Sequence, residues 1–219
     1  MNHIKTLIKQ GEHQQLDFKF EISNSRKIAR TLSAFSNTDG GKLLIGVKDN
    51  GKISGIQSEE EIYMVKGAAD LFCKPTIPVQ IESWVEKGKT VLEVTIRKAN
   101  NRPIFAKDES GQWRAWIRKN DENFIANRIL IKSWARKKRK KGTLLEMTIK
   151  EKIFLEYLNE NQKINFSKLR RITNSNRFQT ENMLVNFLSL DIIEQDYLSD
   201  GIFYIQKKQD LDKLLSDRQ

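Results

Sequence analysis

One cysteine, two histidines and three prolines among 219 residues set the first limits on this chain. Cys73 alone forms neither an intramolecular disulfide nor a structural zinc site. Its neighbours Ala68, Ala69, Leu71 and Phe72 mark it as a small buried hydrophobe, and a reducing cytoplasm is the expected compartment. With only His3 and His13 present, no histidine-based triad or histidine metal cluster is expected. No apolar run approaches the length of about 18 residues that a membrane-spanning helix needs. The opening residues lack the apolar stretch and small-residue cleavage site of a signal peptide. Gly40-Gly41-Lys42-Leu43 has neither the upstream glycine nor the following Ser or Thr of a P-loop, so ATP is not an expected cofactor.

What the chain has in excess is positive charge, 39 Lys and Arg against 28 Asp and Glu, for a net +11. Residues 1–144 hold a net +12, and the stretch from Leu145 onward holds −1. The basic character thus belongs to the leading part, for which a polyanion is the natural partner.

The pattern predicts an α+β fold. Leu16, Phe18 and Phe20 alternate with Asp17 and Lys19, as in a half-buried strand. Ile28, Leu32 and Phe35 recur at helical spacing, and residues 37–41 stop that helix. Leu43 to Val47 reads as a buried strand, followed by a turn at Asp49-Asn50-Gly51. Ser58 with Glu61 predicts a capping box for the next helix. Residues 79–85 and 90–97 read as a hairpin, residues 113–118 as a further strand, and residues 125–140 as a helix. From Thr148 the composition changes. Three amphipathic helices, the third lined by Phe178, Met183, Leu184, Phe187 and Leu188, precede a hairpin turning at Ser199-Asp200-Gly201. That order is similar to a winged helix-turn-helix. The expected division is residues 1–135 as a first domain, 136–147 as a basic linker, 148–208 as the winged helix and 209–219 as a tail.

Glu12, Asp17 and Lys19 form the candidate catalytic set. Two carboxylates and a lysine can hold Mg²⁺ or Mn²⁺ and steady a scissile phosphate, with Asp49 as the third acid of a Glu12, Asp17 and Asp49 metal site. The Asp-x-Lys unit is similar to that of restriction-type nucleases. The plainer reading makes Asp17 and Lys19 a surface ion pair and Glu12 a turn cap.

For phosphate backbone the first domain offers Lys19, Arg26, Lys27, Arg30 and Arg118. The run Arg136, Lys137, Lys138, Arg139, Lys140 and Lys141 exceeds what a helix C-terminus needs; a phosphate-binding linker, a solvated linker and a targeting signal all stay open. If the second domain reads DNA, its third helix enters the major groove with Arg177, Gln179, Thr180 and Asn186 outward, and Lys168, Arg170 and Arg171 lie near phosphates. Trp116, between Arg114 and Arg118, either stacks on a base or packs beneath the following helix.

Several short blocks also carry a resemblance. Gly11-Glu12 with Leu16-Asp17-Phe18-Lys19, then Ser33-Ala34-Phe35-Ser36-Asn37-Thr38-Asp39-Gly40-Gly41, then Ile45-Gly46-Val47 and Gly55-Ile56, resemble in that order the Schlafen AlbA_2 family, also described as a divergent AAA-type or DNA-binding domain. Arg102-Pro103 and Ile117-Arg118 extend it. The resemblance implies nucleic-acid binding, with metal-dependent RNA cleavage in some Schlafen members. Because Schlafen cores pair two such lobes and one occurs here, it also implies a homodimer. In the cleaving members the matching positions carry two Glu and one Asp. Here Glu12 matches, Asp17 stands in place of Glu, and Lys48 follows Gly46-Val47 where an acid is usual. Asp49 lies one residue along and so on the other strand face. The expectation is a nucleic-acid-binding protein, a DNA-binding transcriptional regulator of the AlbA_2 type. A metal-dependent endoribonuclease acting on structured RNA such as tRNA is the alternative, and a protein-binding adaptor the second alternative.

Overall fold

A computed structural model describes residues 3–139 and 145–207, and the chain divides into two units, Met1–Ala126 and Asn127–Gln219. The first unit opens with α1 (His3–Ile8), β1 (Leu16–Lys19), α2 (Ser25–Asn37) and β2 (Gly41–Ile45). β1 and β2 pair in parallel, so α2 is the crossover joining them. After α3 (Glu60–Leu71) and a short β3 (Cys73–Lys74), the hairpin of β4 (Val79–Glu86) and β5 (Lys89–Ile96) pairs antiparallel with β2, giving the order β1-β2-β5-β4. Its turn residues Lys87 and Gly88 both have positive φ, which matches the twist of the flanking strands. A second antiparallel sheet, β3-β6-β7-β8, is built from β6 (Phe105–Lys107), β7 (Trp113–Lys119) and β8 (Glu122–Ile125). β8 occupies residues expected to lead into a helix. Asn120 takes φ 56 and turns the chain back onto β7 before any helical turn can start.

The half-buried strand predicted over residues 16–20 is buried on both faces through Phe18. Leu16 and Phe18 pack with Leu44, Val47, Val91 and Ile4 of α1, which covers that side of the sheet. On the opposite side Ile28, Leu32 and Phe35 of α2 pack with Leu43, Ile45, Leu92 and Val94. Each such side chain is worth about 1.5–3 kcal/mol when removed from water.

α2 also buries its polar positions Thr31, Ser33, Ser36 and Asn37, because that side meets the second sheet. Ser33 Oγ donates to the Ile104 carbonyl at 2.9 Å. Asn37 Nδ2 donates to the carbonyls of Ile104 and Trp116, each at 2.8 Å, while its Oδ1 accepts from the Ile104 N–H at 2.8 Å. Thr38 Oγ1 accepts from the Arg118 N–H at 2.9 Å. The Ser33-to-Gly41 block is therefore a polar seam between helix and sheet. Gly46, at φ 92, could carry no side chain: a Cβ would sit 2.8 Å from the Gly55 carbonyl carbon. That close approach explains why Ile45-Gly46-Val47 and Gly55-Ile56 occur together. Glu61 does not close a capping box with Ser58. It is buried, and its carboxylate accepts the N–H groups of Ile22 at 3.1 Å and Gln57 at 2.8 Å.

The second unit comprises α4 (Arg128–Lys137), α5 (Ile149–Asn161), β9 (Lys163–Asn165), α6 (Phe166–Ile172), α7 (Arg177–Ser189), β10 (Ile193–Leu198) and β11 (Gly201–Gln206). β11 is the middle strand of a sheet ordered β10-β11-β9. Thr148, Asn165 and Asn176 cap α5, α6 and α7 through their side chains. Phe154, Leu158, Leu169, Leu184, Phe187 and Tyr204 form its core.

The boundary expected at residue 135 lies instead at Ala126. Asn127 caps α4 by accepting from the Leu130 N–H at 2.9 Å, and α4 then packs along α7. The foreseen linker thus begins inside a packed helix; Lys140, Lys141 and the tail 209–219 fall outside the described residues. Moving α4 into the second unit redistributes the charge, to a net +4 for residues 1–126 and +7 for residues 127–219. Among the described residues no helix is long and apolar enough to cross a membrane.

Candidate nucleic-acid interface

β1 and the turn before it bring Glu12, Asp17 and Lys19 together. Lys19 Nζ lies 2.9 Å from Asp17 Oδ2, as their shared strand face requires. Glu12 Oε1 accepts the Phe18 N–H at 2.8 Å, and its carboxyl group adjoins that of Asp17. Burial pushes the Glu12 carboxyl above its ordinary range, and the neighbouring Asp17 adds to the rise against the pull of the Phe18 N–H and Lys19. A raised value means the folded chain holds that proton more tightly. The associated stability is present below the ordinary carboxyl range and is lost as the pH climbs through the elevated value. Glu12→Gln keeps an acceptor for Phe18 and removes the charge facing Asp17. The variant is expected to be more stable than the parent at pH 7, with the advantage disappearing below about pH 4.5, read from urea midpoints at the two pH values.

The ion pair is not the surface feature the plainer reading assumed. Asp17 is 4% exposed, and its Oδ1 accepts from Arg118 Nη2 at 3.1 Å. Arg118 is itself 2% exposed and fully engaged. Its Nε donates to the His13 carbonyl at 3.2 Å, Nη2 also to the Leu16 carbonyl at 3.2 Å, and Nη1 to Asn123 Oδ1 at 3.3 Å, while the guanidinium lies 4.8 Å from the centre of the Phe35 ring. Arg118 is therefore removed from the nucleic-acid-binding set: no phosphate reaches a guanidinium buried among β1, β8 and α2. Asp49 does not complete a metal site. It is exposed on the turn after Val47, and it is not among the groups that act on Glu12. Lys48 extends over the Phe20 ring at 4.9 Å. Among the described residues no three His, Cys, Asp or Glu side chains are grouped to hold a metal ion.

The start of α2 places Arg26, Lys27 and Arg30 beside Arg114 and Trp116 around a cavity of about 340 Å³. Its opposite wall is acidic. Asp108 pairs with Arg114 at 2.8 Å, Glu109 lies 3.8 Å from Lys27, and the Glu109 carbonyl accepts from Arg26 at 3.2 Å. Arg30 stacks 5.3 Å over the Trp116 ring, which packs on the core beside α2, so that indole face is already covered. Elsewhere in this unit Lys5 pairs with Glu86, Lys42 with Glu93, and Lys98 with Asp39. Many cations of the first unit thus have acidic neighbours rather than forming an open groove.

In the second unit the arrangement is reversed. Arg128, Arg170, Arg171 and Arg177 surround a cavity of about 900 Å³ with apolar walls from Ile129, Phe166, Ile202 and Tyr204. Glu181 is the one acid in that lining, and it already pairs with Lys132 and with Arg128 at 3.4 Å. Those cations hold its carboxyl below the ordinary range, the Lys132 hydrogen bond most of all. Arg128 was missed from the sequence because it was assigned to the first domain's trailing helix.

α7 does not present the face expected of it. Arg177 and Gln179 are exposed, but Thr180 is fully buried, its Oγ1 donating to the Asn176 carbonyl at 2.9 Å. α4 occupies the side beyond: Lys132 pairs with Glu181, Arg136 with Asn186, and Lys137 with Asp191 just past the helix. Arg136 and Lys137 of the basic run are thereby used inside the unit. Lys138 and Arg139 remain exposed.

A β-α-β crossover on a mixed sheet, seamed to a second sheet by the Asn37 block, defines the first unit as a mixed α+β lobe. The Schlafen, AlbA_2 family description matches residues 12–127, and the chain belongs to that family. Among solved structures, the DIP2311 protein of Corynebacterium diphtheriae is similar at 17% identity and a TM-score of 0.45, over 89% of this chain and 34% of that one. The chain thus spans about a third of that protein's length. The N-terminal domain of a RecG-related protein of Nitrosomonas europaea, named for an ATP-dependent DNA helicase, is similar at 21% identity and a TM-score of 0.38, over 58% of this chain and 97% of that domain.

Proposed function

We propose that this chain is a nucleic-acid-binding protein, a DNA-binding transcriptional regulator of the AlbA_2 type whose second unit works as a winged helix. One observation carries the reading: four arginines line a single cavity in which, among the described residues, the one acid, Glu181, pairs with Arg128 and leaves Arg170, Arg171 and Arg177 without an ion-pair partner. Three guanidinium groups gathered in this way are costly unless an anion completes them, and phosphate oxygens suit guanidinium geometry. Helix, strand, helix, helix and hairpin in that order support the winged-helix reading. Binding is favoured over cleavage because Asp17 is committed to Arg118 and, among the described residues, no third acid joins Glu12 and Asp17. Two chains pairing through their single AlbA_2 lobes belong to the same proposal, and light scattering that finds only monomers would overturn that part.

The test is fluorescence anisotropy of the full chain on a DNA duplex and an RNA hairpin at matched ionic strength. Binding should weaken about tenfold or more between 50 and 200 mM salt if several phosphates are neutralised. No binding at the lower salt sinks the proposal. A parallel incubation of labelled tRNA with Mn²⁺ should leave the RNA intact. Cleavage that disappears in Glu12→Gln would establish the nuclease instead.

A further inference from the structure

The cavity at the start of α7 does not end there. A second hollow, of about 400 Å³, is lined by Tyr157, Lys163, Asn165, Lys168 and Phe203, and it shares Ser167 and Arg171 with the first. The two hollows adjoin at Ser167 and Arg171 of α6 as one track, the first lined by Arg128, Arg170 and Arg177 and the second by Lys163 and Lys168. Among the described residues Glu181 is its one acidic lining residue. Among the described residues Arg170 and Arg171 have no ion-pair partner, and both are exposed. Lys163 lies 4.8 Å over the Phe203 ring and Lys168 lies 5.5 Å over that of Tyr157, so aromatic rings hold the ammonium groups in the track while leaving them unneutralised.

Base readout by such a helix uses polar side chains on its exposed first turns. In α7 that stretch offers Arg177, Phe178 and Gln179; Phe178 carries no hydrogen-bonding group, and Gln179 Oε1 already accepts from the Asn176 N–H at 3.1 Å and Lys150 Nζ at 3.3 Å. Beyond Gln179 its residues are buried or half-buried, and Glu181 and Asn186 are engaged by α4. We infer that the second unit grips the phosphate backbone of duplex DNA along α6 and does not read bases through α7, so its binding is indifferent to sequence. The unpaired cations along α6 provide the charge, and phosphates present the same partner on any sequence. This inference rests on the nucleic-acid-binding reading and specifies how one unit carries it out: the winged helix supplies affinity, and the choice of sequence that a regulator makes falls to the first unit.

The experiment uses the full chain and three fluorescein-labelled duplexes of equal length and unrelated sequence, titrated at 50, 100 and 200 mM NaCl. The wild type is expected to bind all three within about threefold. Arg170→Ala/Arg171→Ala should weaken binding about tenfold or more on every duplex and reduce the slope of log K against log salt by about 2, since each lost phosphate contact removes roughly 0.9. Lys163→Ala/Lys168→Ala should act in the same direction. Phe178→Ala, on the exposed first turn of α7, should leave all three affinities as they were. These side chains are on the surface, and matching thermal melts confirm that the variants fold. A preference of 100-fold for one duplex that Arg177→Ala abolishes, or wild-type affinity in Arg170→Ala/Arg171→Ala, overturns the inference while leaving nucleic-acid binding in place. Failure of the wild type to bind any duplex overturns both.

Discussion

Arg118→Ala should cost the first unit about 3–5 kcal/mol, the range measured when one partner of a buried ion pair is removed. That is a large share of a domain's net stability, about 5–15 kcal/mol. The loss has three sources. Asp17 stays buried with one contact fewer, the carbonyls of His13 and Leu16 each keep only the backbone N–H that the other residue donates, and the Phe35 ring loses the guanidinium beside it. Urea unfolding followed by tryptophan fluorescence reads the effect, since Trp84, Trp113 and Trp116 lie in this unit. Arg118→Lys should recover only a minor part, because one ammonium cannot serve acceptors set around a planar fork. Arg118→Met combined with Asp17→Leu should recover much more, since no unpaired charge is then left inside. A loss under 1 kcal/mol for Arg118→Ala would mean that Asp17 does not depend on the guanidinium, and the metal-binding reading of Glu12 and Asp17 would regain its footing.

Asn37→Ala is expected to cost about 3 kcal/mol, because it leaves the Ile104 N–H buried without its acceptor, takes the amide donor from the Trp116 carbonyl, and leaves the Ile104 carbonyl with Ser33 Oγ alone. Asn37→Asp should be worse. It keeps the acceptor for Ile104 but turns a carboxylate oxygen towards two carbonyls where an amide donated. Hydrogen exchange at the Ile104 amide should accelerate in Asn37→Ala before the rest of the unit responds. Unchanged exchange there, or a cost within 0.5 kcal/mol as is usual for surface changes, would show that the helix-to-sheet seam depends on packing alone.

The two residues mark where sequence reading succeeded and where it stopped. The β4–β5 hairpin, the three capped helices of the second unit and its closing hairpin were legible because short-range signals set them: alternation, Asn and Thr caps, and a turn glycine. Glu12, Asp17 and Lys19 were found together because at most seven positions separate them. The burial of Arg118 was not legible, since its ion-pair partner lies 101 residues away and an alternating strand with arginines at both ends reads as solvent-facing. The placement of Thr180 failed although the stripe was there: Thr180 stands three, four and seven positions before Met183, Leu184 and Phe187, on the buried side. Helical periodicity shows that side of α7, but not that α4 covers the flank carrying Glu181 and Asn186. Charge counting erred by the same step. Eight cations between Arg128 and Lys141 were assigned to the leading domain, and the division at Ala126 gives them to the trailing one. Asp49 was the reverse case: the pleat already argued that a shift of one residue points the side chain away from Asp17.

The division at Ala126 also determines how the trailing unit can be produced alone. A fragment cut at residue 148, where the composition changes, would discard α4 and expose to water the flank of α7 that carries Glu181 and Asn186. Such a fragment should self-associate or precipitate on expression, and any affinity assigned to it would describe an artefact of truncation. Starting at Asn127 retains the capping amide, and with it the Lys132 and Arg136 anchors, in the recombinant product.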